Sequence, residues 1–257
     1  MIKIKTKEDI ATLREGGRRH GAILRELAKM VAPGVSAQAL EDRTRELIAE
    51  GGPDDKPAFL NYTPSGADRP FPAALCLSIN DEVVHGIPNE SDKVLKEGDI
   101  VTLDLGLIHK GLITDAALTV PVGKVSPEKA RLLATTKEAL SVGIKAAKGG
   151  KRVGDISCAI ERIGTAGRFG IVEELAGHGV GYAVHEDPFV PNYGEAGKGP
   201  ILKPGMVIAI EPIFNLGDRH VELDLDGYTY RTSDGSSSAH FEHTVLITKG
   251  DPEILTA

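Results

Sequence analysis

Hydrophobic residues spaced three and four positions apart predict two helices within residues 1–52. Thr6 followed by Asp9 has the form of a capping box and predicts the start of a long amphipathic helix, which should end before Pro33-Gly34. Ser36 is a suitable N-cap for a second, shorter helix, and Gly51-Gly52 should end it. The predicted apolar faces comprise Ile10, Leu13, Ile23, Leu24, Leu27 and Val31, then Leu40, Leu47 and Ile48.

The same order of elements returns after residue 125. Ser126-Pro127-Glu128 combines an N-cap serine with proline at the first helical position, and apolar residues continue from there to about Ala147. Asp155 is predicted to cap another short helix, which should end between Gly167 and Gly170. Each half is therefore predicted to contain a long helix, a glycine break, a short helix and strands.

Strand patterns occupy the segments between and after these helices. Residues 53–74 are rich in proline, glycine and small polar residues and are predicted to form a loop, whereas residues 74–79 have strand composition. The clearest strand pattern is DIVTLDLGLIHKGLITDAALTV, residues 99–120, in which two apolar runs flank His109-Lys110-Gly111. It predicts a buried β-hairpin with its turn at those three residues.

Two carboxylates, Asp104 and Asp115, interrupt the apolar residues of this hairpin. If His109 and Lys110 form a two-residue loop, Asp104 lies directly opposite Asp115, with Cβ atoms about 5 Å apart. Two like charges at that separation are destabilising unless a proton or a cation lies between them. A three-residue loop without a bulge would instead direct them to opposite faces of the sheet, so two unrelated edge-strand aspartates are the alternative.

The strands of the second half repeat those of the first. The segment LKEGDIVTLD, which ends at Asp104, superimposes on LKPGMVIAIE, which ends at Glu211. GLITDAALTV similarly superimposes on SAHFEHTVLI and aligns Glu242 with Asp115. Short strands resemble each other by chance, but acidic residues coincide in both pairs, which favours an internal duplication.

Four carboxylates would meet at one place if the two halves pack about a pseudo-two-fold axis. In a dry site divalent cations would neutralise them, and two ions about 3.5–4 Å apart can activate one water between them. His178 in the segment AGHGVG is a candidate imidazole ligand, although an isolated histidine in such a loop is often only a polar turn residue. Carboxylates with a single imidazole suit Mn, Fe or Co, and zinc is compatible.

A histidine also repeats between the halves, in His85-Gly-Ile-Pro88 and His185-Glu-Asp-Pro188. We expect these two imidazoles to flank the metals, where they can hold a substrate amide or a tetrahedral oxyanion. The alternative is that they are strand-end histidines packed by the prolines that follow. Surface or structural positions are expected for His20, His109, His220 and His243.

Composition narrows the class of protein. The 257 residues are 41% hydrophobic, which suits one large globular domain or two small ones, and no apolar run of membrane-spanning length occurs. MIKIKTKEDI leads directly into a helical pattern without the apolar region of a signal peptide, so the cytoplasm is the expected location. Cys76 and Cys158 have no spacing typical of a disulfide framework or a zinc site. A net charge of −7 argues against nucleic-acid and anionic-membrane partners.

The motifs NDEVVHGIP, DIVTLDLGLIHKGLITDAALTV, GHGVGYAVHEDP, GMVIAIEPIF and SAHFEHTVLIT resemble those of type I methionine aminopeptidases, in the pita-bread metallopeptidase family. The resemblance covers essentially the whole chain. It implies an α+β pita-bread fold, with two pseudo-symmetric halves of antiparallel strands covered by helices. One catalytic domain, residues 1–257, would contain halves of about 1–125 and 126–257. The implied activity is hydrolysis of the first peptide bond, which removes the initiator methionine from nascent proteins with a preference for a small second residue.

The resemblance also assigns roles to individual residues. Asp104 would bind one divalent ion, Asp115 and Glu242 would bridge both, and His178 and Glu211 would complete the second. The two ions would be Co, Mn, Fe or Zn, and the water or hydroxide between them would attack the substrate. Glu211 would also be a candidate proton shuttle. Contacts with the substrate and its developing oxyanion are implied for His85 and His185.

Two residues depart from the family pattern. Val184 stands where the family often has phenylalanine, and His240 stands where it often has glutamine, so the role of each is open. Phe71, Cys76 and Tyr228 fall near positions that line the family's methionine pocket, and Tyr62 is a further candidate. An apolar, partly sulfur-lined pocket suits a thioether, but all four residues are equally compatible with ordinary core positions.

The expected partners are nascent polypeptide N-termini, with a transient ribosome contact left open, and the expected protein is a monomer. Two rival functions remain. A proline-directed aminopeptidase of the same fold commonly carries an additional N-terminal domain, for which 257 residues leave no space. A non-catalytic peptide-binding or ribosome-binding relative would usually have lost metal ligands, whereas all five are present here.

Overall fold

The computed structural model describes residues 1–64 and 66–257. Its helices are α1 (Lys7–Met30), α2 (Ala37–Glu50), α3 (Pro127–Ala146) and α4 (Val153–Gly167). The predicted caps at Thr6, Ser36 and Ser126 are confirmed, because each side chain accepts a backbone hydrogen bond from the first helical turn. Within the described ranges, no helix has the length and apolar character needed to cross a membrane.

The predicted cap at Asp155 is wrong. The N-cap of α4 is Arg152, whose backbone is extended, and Asp155 lies in the first helical turn. Its carboxylate accepts the Arg152 N–H at 2.8 Å. Aspartate is favourable both at an N-cap and in the first turn, and the conformation of the preceding loop decides between the two positions.

The strands of the first half are β1 (Asp55–Pro57), β2 (Leu75–Ile79), β3 (Glu82–Val84), β4 (Ile100–His109) and β5 (Leu112–Pro121). Those of the second are β6 (Gly170–Ile171), β7 (Ala176–Gly179), β8 (Glu186–Pro191), β9 (Val207–Ile210), β10 (Ile213–Asn215), β11 (Val221–Leu223), β12 (Tyr230–Thr232), β13 (Ser238–His240), β14 (His243–Leu246) and β15 (Glu253–Ile254). The predicted loop at residues 53–74 is interrupted by β1, which pairs with the end of β4.

Each half consists of antiparallel strands covered by its own pair of helices, as predicted. In the first half, Leu27 of α1 and Leu40 of α2 pack with Leu103 of β4 in one apolar cluster. In the second half, α3 and α4 pack against β9 and β10 through a second cluster that contains Ile160 and Ile210. Burial of these side chains supplies the main driving force for both halves.

The register predicted for the first hairpin is wrong, because its two-residue loop lies one position later than predicted. The two-residue loop is Lys110-Gly111, so Asp104 pairs with Ala117 and Asp115 pairs with Gly106. Lys110 and Gly111 have φ of 49° and 81°, the positive values that a tight type I′ turn requires at both central positions. The two carboxylates consequently lie diagonally on the same face of the sheet rather than directly opposite each other.

The second hairpin has the directly opposed arrangement. Pairing of β9 with β14 and of β10 with β13 follows one common register, and Glu211 lies opposite Glu242 in the short gap between the two ladders. The gap has a local cause, since Pro212 follows Glu211 and cannot donate a ladder hydrogen bond. Phe241 N–H donates to the Pro212 carbonyl at 3.3 Å and holds the strands together across the gap.

A seam between β5 and the β13–β14 strands joins the halves. Glu242 N–H donates to the Ala117 carbonyl at 2.8 Å. On one side, the Thr244 hydroxyl accepts the Asp115 N–H and donates to the Asp115 carbonyl, at 2.8 and 2.7 Å. On the other side, the Thr119 hydroxyl makes the same pair of bonds with the backbone of His240, at 2.9 and 2.8 Å. These bonds hold Asp115 of the first half close to Glu242 of the second.

Candidate active site

The five residues predicted to be metal ligands converge at the seam. His178 lies on β7, and its Nε2 is 3.5 Å from Glu211 Oε1 and 3.9 Å from Asp115 Oδ2. Ligand atoms of Asp115, His178 and Glu242 all lie within 4.8 Å of one another. Asp104 lines the same cavity from β4. The His178 Nδ1 is 2.9 Å from the Gly179 carbonyl, so it carries the proton and leaves Nε2 free to bind a cation.

The carboxylates are too deeply buried to stay charged without compensation. Burial raises the pKa of Asp104 to about 7. The pKa values of Asp115, Glu211 and Glu242 lie well above their ordinary range, first because of burial and then because of the neighbouring carboxylates. One oxygen each of Asp104, Asp115 and Glu242 is buried without a hydrogen-bond partner in the described chain. These orphaned oxygens are what divalent cations would satisfy, so the residues present fit a metal centre.

His85 and His185 line the same cavity. His85 follows β3 and has a φ of 58°, a left-handed conformation that is uncommon outside glycine and often found at functional sites. The His185 ring lies 4.6 Å from the His178 ring, and its Nδ1 is 3.2 Å from the Tyr62 hydroxyl. Burial lowers the pKa of both histidines, that of His85 to about 4, so both are neutral at pH 7.

An apolar cavity of about 160 Å³ adjoins the carboxylates. Phe71 and Tyr228 form one wall, with ring centroids 5.1 Å apart in an edge-to-face arrangement. Cys76, whose backbone pairs with that of Asp104, contributes a sulfur. The residues predicted for the methionine pocket thus all line this cavity, together with Tyr62 and Val184.

Several lining residues were missed by the sequence analysis. Phe59 and Leu175 line the cavity, but no motif singled them out. Phe59 lies three positions before Tyr62 in the same loop, which is the one local signal that could have found it. His240 also lines the cavity, and its Nε2 is 3.7 Å from Glu211 and 3.8 Å from Glu242. The sequence had marked it only as a departure from the family pattern.

A buried ion pair holds the loop that carries His185. Lys5 Nζ donates to Glu186 Oε2 at 2.8 Å, and both side chains are at most 4% exposed. Glu186 Oε1 also accepts the N–H groups of Tyr182 and Ala183, at 2.5 and 3.0 Å, which closes residues 182–186 into a compact turn. The Lys5–Glu186 ion pair therefore links the N-terminal segment to the turn that carries His185, which lines the cavity.

Replacing Lys5 with methionine is expected to lower the free energy of unfolding by about 3–5 kcal/mol, because it leaves the Glu186 carboxylate buried and uncompensated. The turnover number should fall as well, since the turn carrying His185 loses its ion pair with the N-terminal segment. Urea unfolding and peptide kinetics would measure the two effects. Lys7→Met, at an exposed lysine on the same segment, is the matched control. Partial recovery of stability in the Lys5→Met/Glu186→Gln double variant would verify the cause, and equal stability of Lys5→Met and Lys7→Met would contradict it.

Comparison with known proteins gives the family. A profile of the metallopeptidase family M24 matches residues 11–249. The methionine aminopeptidase of Aquifex aeolicus is 47% identical over 257 residues, which cover 99% of this chain and 98% of that protein. Methionine aminopeptidase 1 of Bacillus subtilis is 42% identical, with 100% of this chain and 99% of that protein covered.

Solved structures agree with this result. The crystal structure of methionine aminopeptidase from Thermotoga maritima has a TM-score of 0.94 at 42% identity and covers 100% of this chain and 99% of that one. Prolidase from Pyrococcus furiosus has a TM-score of 0.74 at 24% identity, and the alignment covers 65% of the prolidase, which shows a likeness of fold alone. The predicted resemblance to methionine aminopeptidases and the predicted pita-bread fold are confirmed. The chain therefore belongs to metallopeptidase family M24.

Proposed function

We propose that this protein is a metal-dependent aminopeptidase that removes the N-terminal methionine from nascent polypeptides, with a preference for a small second residue. The observation that carries the proposal is the convergence of His178 and four carboxylates in an apolar cavity, where Asp104, Asp115 and Glu242 are buried and the Glu211 side chain is 11% exposed. Full-length relatives named methionine aminopeptidase support the same assignment.

Five side chains would hold two divalent ions, namely Asp104, Asp115, His178, Glu211 and Glu242. When bound, such ions polarise the scissile carbonyl and lower the pKa of the attacking water. Oxygen-rich ligands with imidazole suit Mn, Fe, Co or Zn. His178 serves through Nε2, because the Gly179 carbonyl takes its Nδ1 proton. Glu211 is proposed to pass a proton from the attacking water to the leaving amine.

His85 and His185, the histidines that recur in the two halves of the chain, are proposed to bind the substrate and its oxyanion. Both are neutral at pH 7, so each imidazole can donate one hydrogen bond without carrying a charge. The Tyr62 hydroxyl, 3.2 Å from His185 Nδ1, can donate to that nitrogen and leave Nε2–H as the donor toward the substrate. Donors fixed in this way stabilise a developing oxyanion without reorganisation.

The apolar cavity is proposed to bind the methionine side chain. Aromatic rings at Phe71 and Tyr228, with the thiol of Cys76, give it the surface that a polarisable thioether favours. Burial raises the pKa of the Cys76 thiol well above its ordinary value, so the thiol is neutral and acts as an apolar wall. A hydrogen bond from the Tyr228 hydroxyl to the Arg69 carbonyl fixes the orientation of the Tyr228 ring.

The experiment that tests the proposal is peptide cleavage by chelator-stripped protein re-supplied separately with Mn, Fe, Co or Zn. Met-Ala-Ser, Met-Leu-Ser and Ala-Pro-Ser peptides would be compared. Metal-restored release of methionine from Met-Ala-Ser alone is the expected result. Cleavage of only Ala-Pro-Ser would assign a proline-directed peptidase, and no cleavage with any metal would favour a non-catalytic binding protein.

We also propose that the chain is a single catalytic domain, and that it acts as a cytoplasmic monomer on chains emerging from the ribosome. The hydrogen-bonded seam through Thr119, Glu242 and Thr244 supports one domain, because neither half completes the acidic cluster alone. Light scattering after gel filtration would test the monomer, and co-sedimentation with ribosomes would test the contact.

Stabilisation by metal is expected to grow as pH rises. The raised pKa of Asp104, about 7 in the folded protein, means that the metal-free folded state binds more protons than the unfolded chain between about pH 4 and 7. The metal-free protein therefore loses stability as pH rises through this window, whereas a divalent ion replaces the protons once the carboxylates ionise.

The Mn concentration is the same at both pH values and is set about a hundredfold above the Kd for Mn at pH 8. The melting temperature should then rise by about 5–10 °C at pH 8. A clearly smaller rise is expected at pH 5.5. Thermal melts with and without Mn at both pH values measure the effect, and the difference between the paired melts removes contributions from groups outside the site. An increment that is equal at both pH values would contradict proton competition at these carboxylates.

A further inference from the structure

One buried side chain at the acidic cluster has no role in the proposed five-ligand site. His240 is the last residue of β13, two positions before Glu242, and it is 2% exposed. Neither ring nitrogen has a hydrogen-bond partner among residues 1–64 and 66–257. Burying an imidazole without a partner is costly, so the ring is expected to have a partner of another kind.

The backbone on both sides of this histidine is fixed. The Thr119 hydroxyl donates to the His240 carbonyl at 2.8 Å and accepts its N–H at 2.9 Å. His240 also pairs with Ile213 of β10, so the strand lies between two neighbours. The direction of the side chain into the cavity is therefore set by the sheet and does not depend on a mobile loop.

The distances from His240 to the carboxylates are those expected between two ligands of one ion. Nε2 lies 3.7 Å from Glu211 Oε2 and 3.8 Å from Glu242 Oε2, which is too long for a hydrogen bond. With metal–ligand bonds of about 2.0–2.2 Å, two ligands of the same ion lie about 3–4 Å apart. His178 has the same spacing, 3.5 Å to Glu211 and 3.9 Å to Asp115.

We propose that His240 is a sixth protein ligand, which binds through Nε2 to the ion held by Glu211 and Glu242. The inference rests on the proposed function only in requiring that the acidic cluster binds a divalent metal. A second imidazole makes the donor set richer in nitrogen, so it favours Zn and Co over Mn more than five ligands would. A glutamine at this position would offer no comparable nitrogen donor, because its amide nitrogen has no free lone pair.

The test is metal binding by the chelator-stripped protein, measured without any peptide. Isothermal titration would give the affinities for Zn, Co and Mn in the natural protein, in His240→Gln and in His220→Gln, a matched change at an exposed histidine. His240→Gln is expected to lose more than about tenfold in Zn and Co affinity at one site, with a smaller loss for Mn. The visible absorption of the Co-loaded protein should also change, because a nitrogen ligand is lost.

An unchanged Co spectrum together with an unchanged ratio of Zn to Mn affinity in His240→Gln would overturn the proposal. His240→Leu guards against misfolding as an explanation. Removing an unpartnered buried imidazole should leave the metal-free protein at least as stable as before, while Zn affinity falls. Loss of metal-free stability with unchanged Zn affinity would instead assign His240 a packing role and refute ligation.

The outcomes separate this inference from the proposed function. If no peptide is cleaved but His240→Gln changes the Co spectrum, the sixth ligand stands and the aminopeptidase assignment fails. If methionine is released normally and the spectrum is unchanged, the function stands and the sixth ligand fails. Asp115→Asn is the positive control, since it removes a carboxylate that the cluster places against His178.

Discussion

Replacing Asp115 with asparagine is expected to abolish methionine release while the fold is retained. Asp115 is 4% exposed, and its Oδ2 faces His178 Nε2 across 3.9 Å. The change keeps the shape of the side chain, and in the metal-free protein burial already disfavours the charged form of Asp115, so the fold should be retained. What is lost is a carboxylate that could ionise to bind a cation. The loss of activity should exceed the ~100-fold that follows removal of an outer partner of a metal ligand.

Three measurements would establish this result. Peptide kinetics with excess Mn or Co report activity, circular dichroism and urea unfolding report the fold, and titration calorimetry reports the number of ions bound. The number of ions bound should decrease, since Asp115 is one of the five side chains that would hold them. Asp251→Asn, at an exposed aspartate paired with Lys148, is the matched control. Full activity in Asp115→Asn would refute the dinuclear proposal.

Replacing His185 with alanine is expected to lower the turnover number by about 10²–10³-fold, which is the usual effect of removing one oxyanion donor. The number and affinity of bound metals should stay unchanged, because His185 is proposed to contact the substrate and not the ions. Its ring lies 4.6 Å from that of His178, so a separate measurement of Co binding is needed to show that the metal ligand is undisturbed.

Separate measurement of the effects on kcat and KM makes this test specific. A donor used mainly in the transition state lowers kcat and kcat/KM together, whereas a purely structural histidine would lower stability first. His220→Ala, at a half-exposed histidine outside the cavity, is the control. Wild-type turnover in His185→Ala would return His185 to the alternative of a strand-end packing residue.

The success of the helix predictions has a local cause. The hydroxyls of Ser36 and Ser126 each accept a hydrogen bond from the backbone N–H three positions later, so the capping interaction involves only four consecutive residues. The failure at Asp155 is equally local. Its carboxylate and the Arg152 N–H form the reciprocal half of a capping box, and sequence alone does not say which end of that pair is the cap.

The hairpin shows how a small error in loop position changes a site. Asp104 and Asp115 stand out because a carboxylate in an apolar strand requires a proton or a cation to compensate its charge. This part of the prediction does not depend on the strand register. The register depends on which two residues adopt positive φ, and Gly111 in the second loop position was the available signal. The observed register still leaves both carboxylates on one face, since it differs from the predicted one by an even number of residues.

By itself the sequence determined the helix–helix–strand order of both halves and the repeat of acidic residues, because periodicity, caps and charges in apolar strands are local signals. It also supplied the five candidate metal ligands. Only the tertiary structure decided that His240 faces Glu211 and that Phe59 and Leu175 line the cavity. The same is true of the Lys5–Glu186 pair, whose members are 181 positions apart in the chain. The Lys5–Glu186 contact forms when the two halves pack against each other, and the His240–Glu211 contact forms when strands of the second half pair. No local sequence pattern specifies which distant residue each of these side chains will contact.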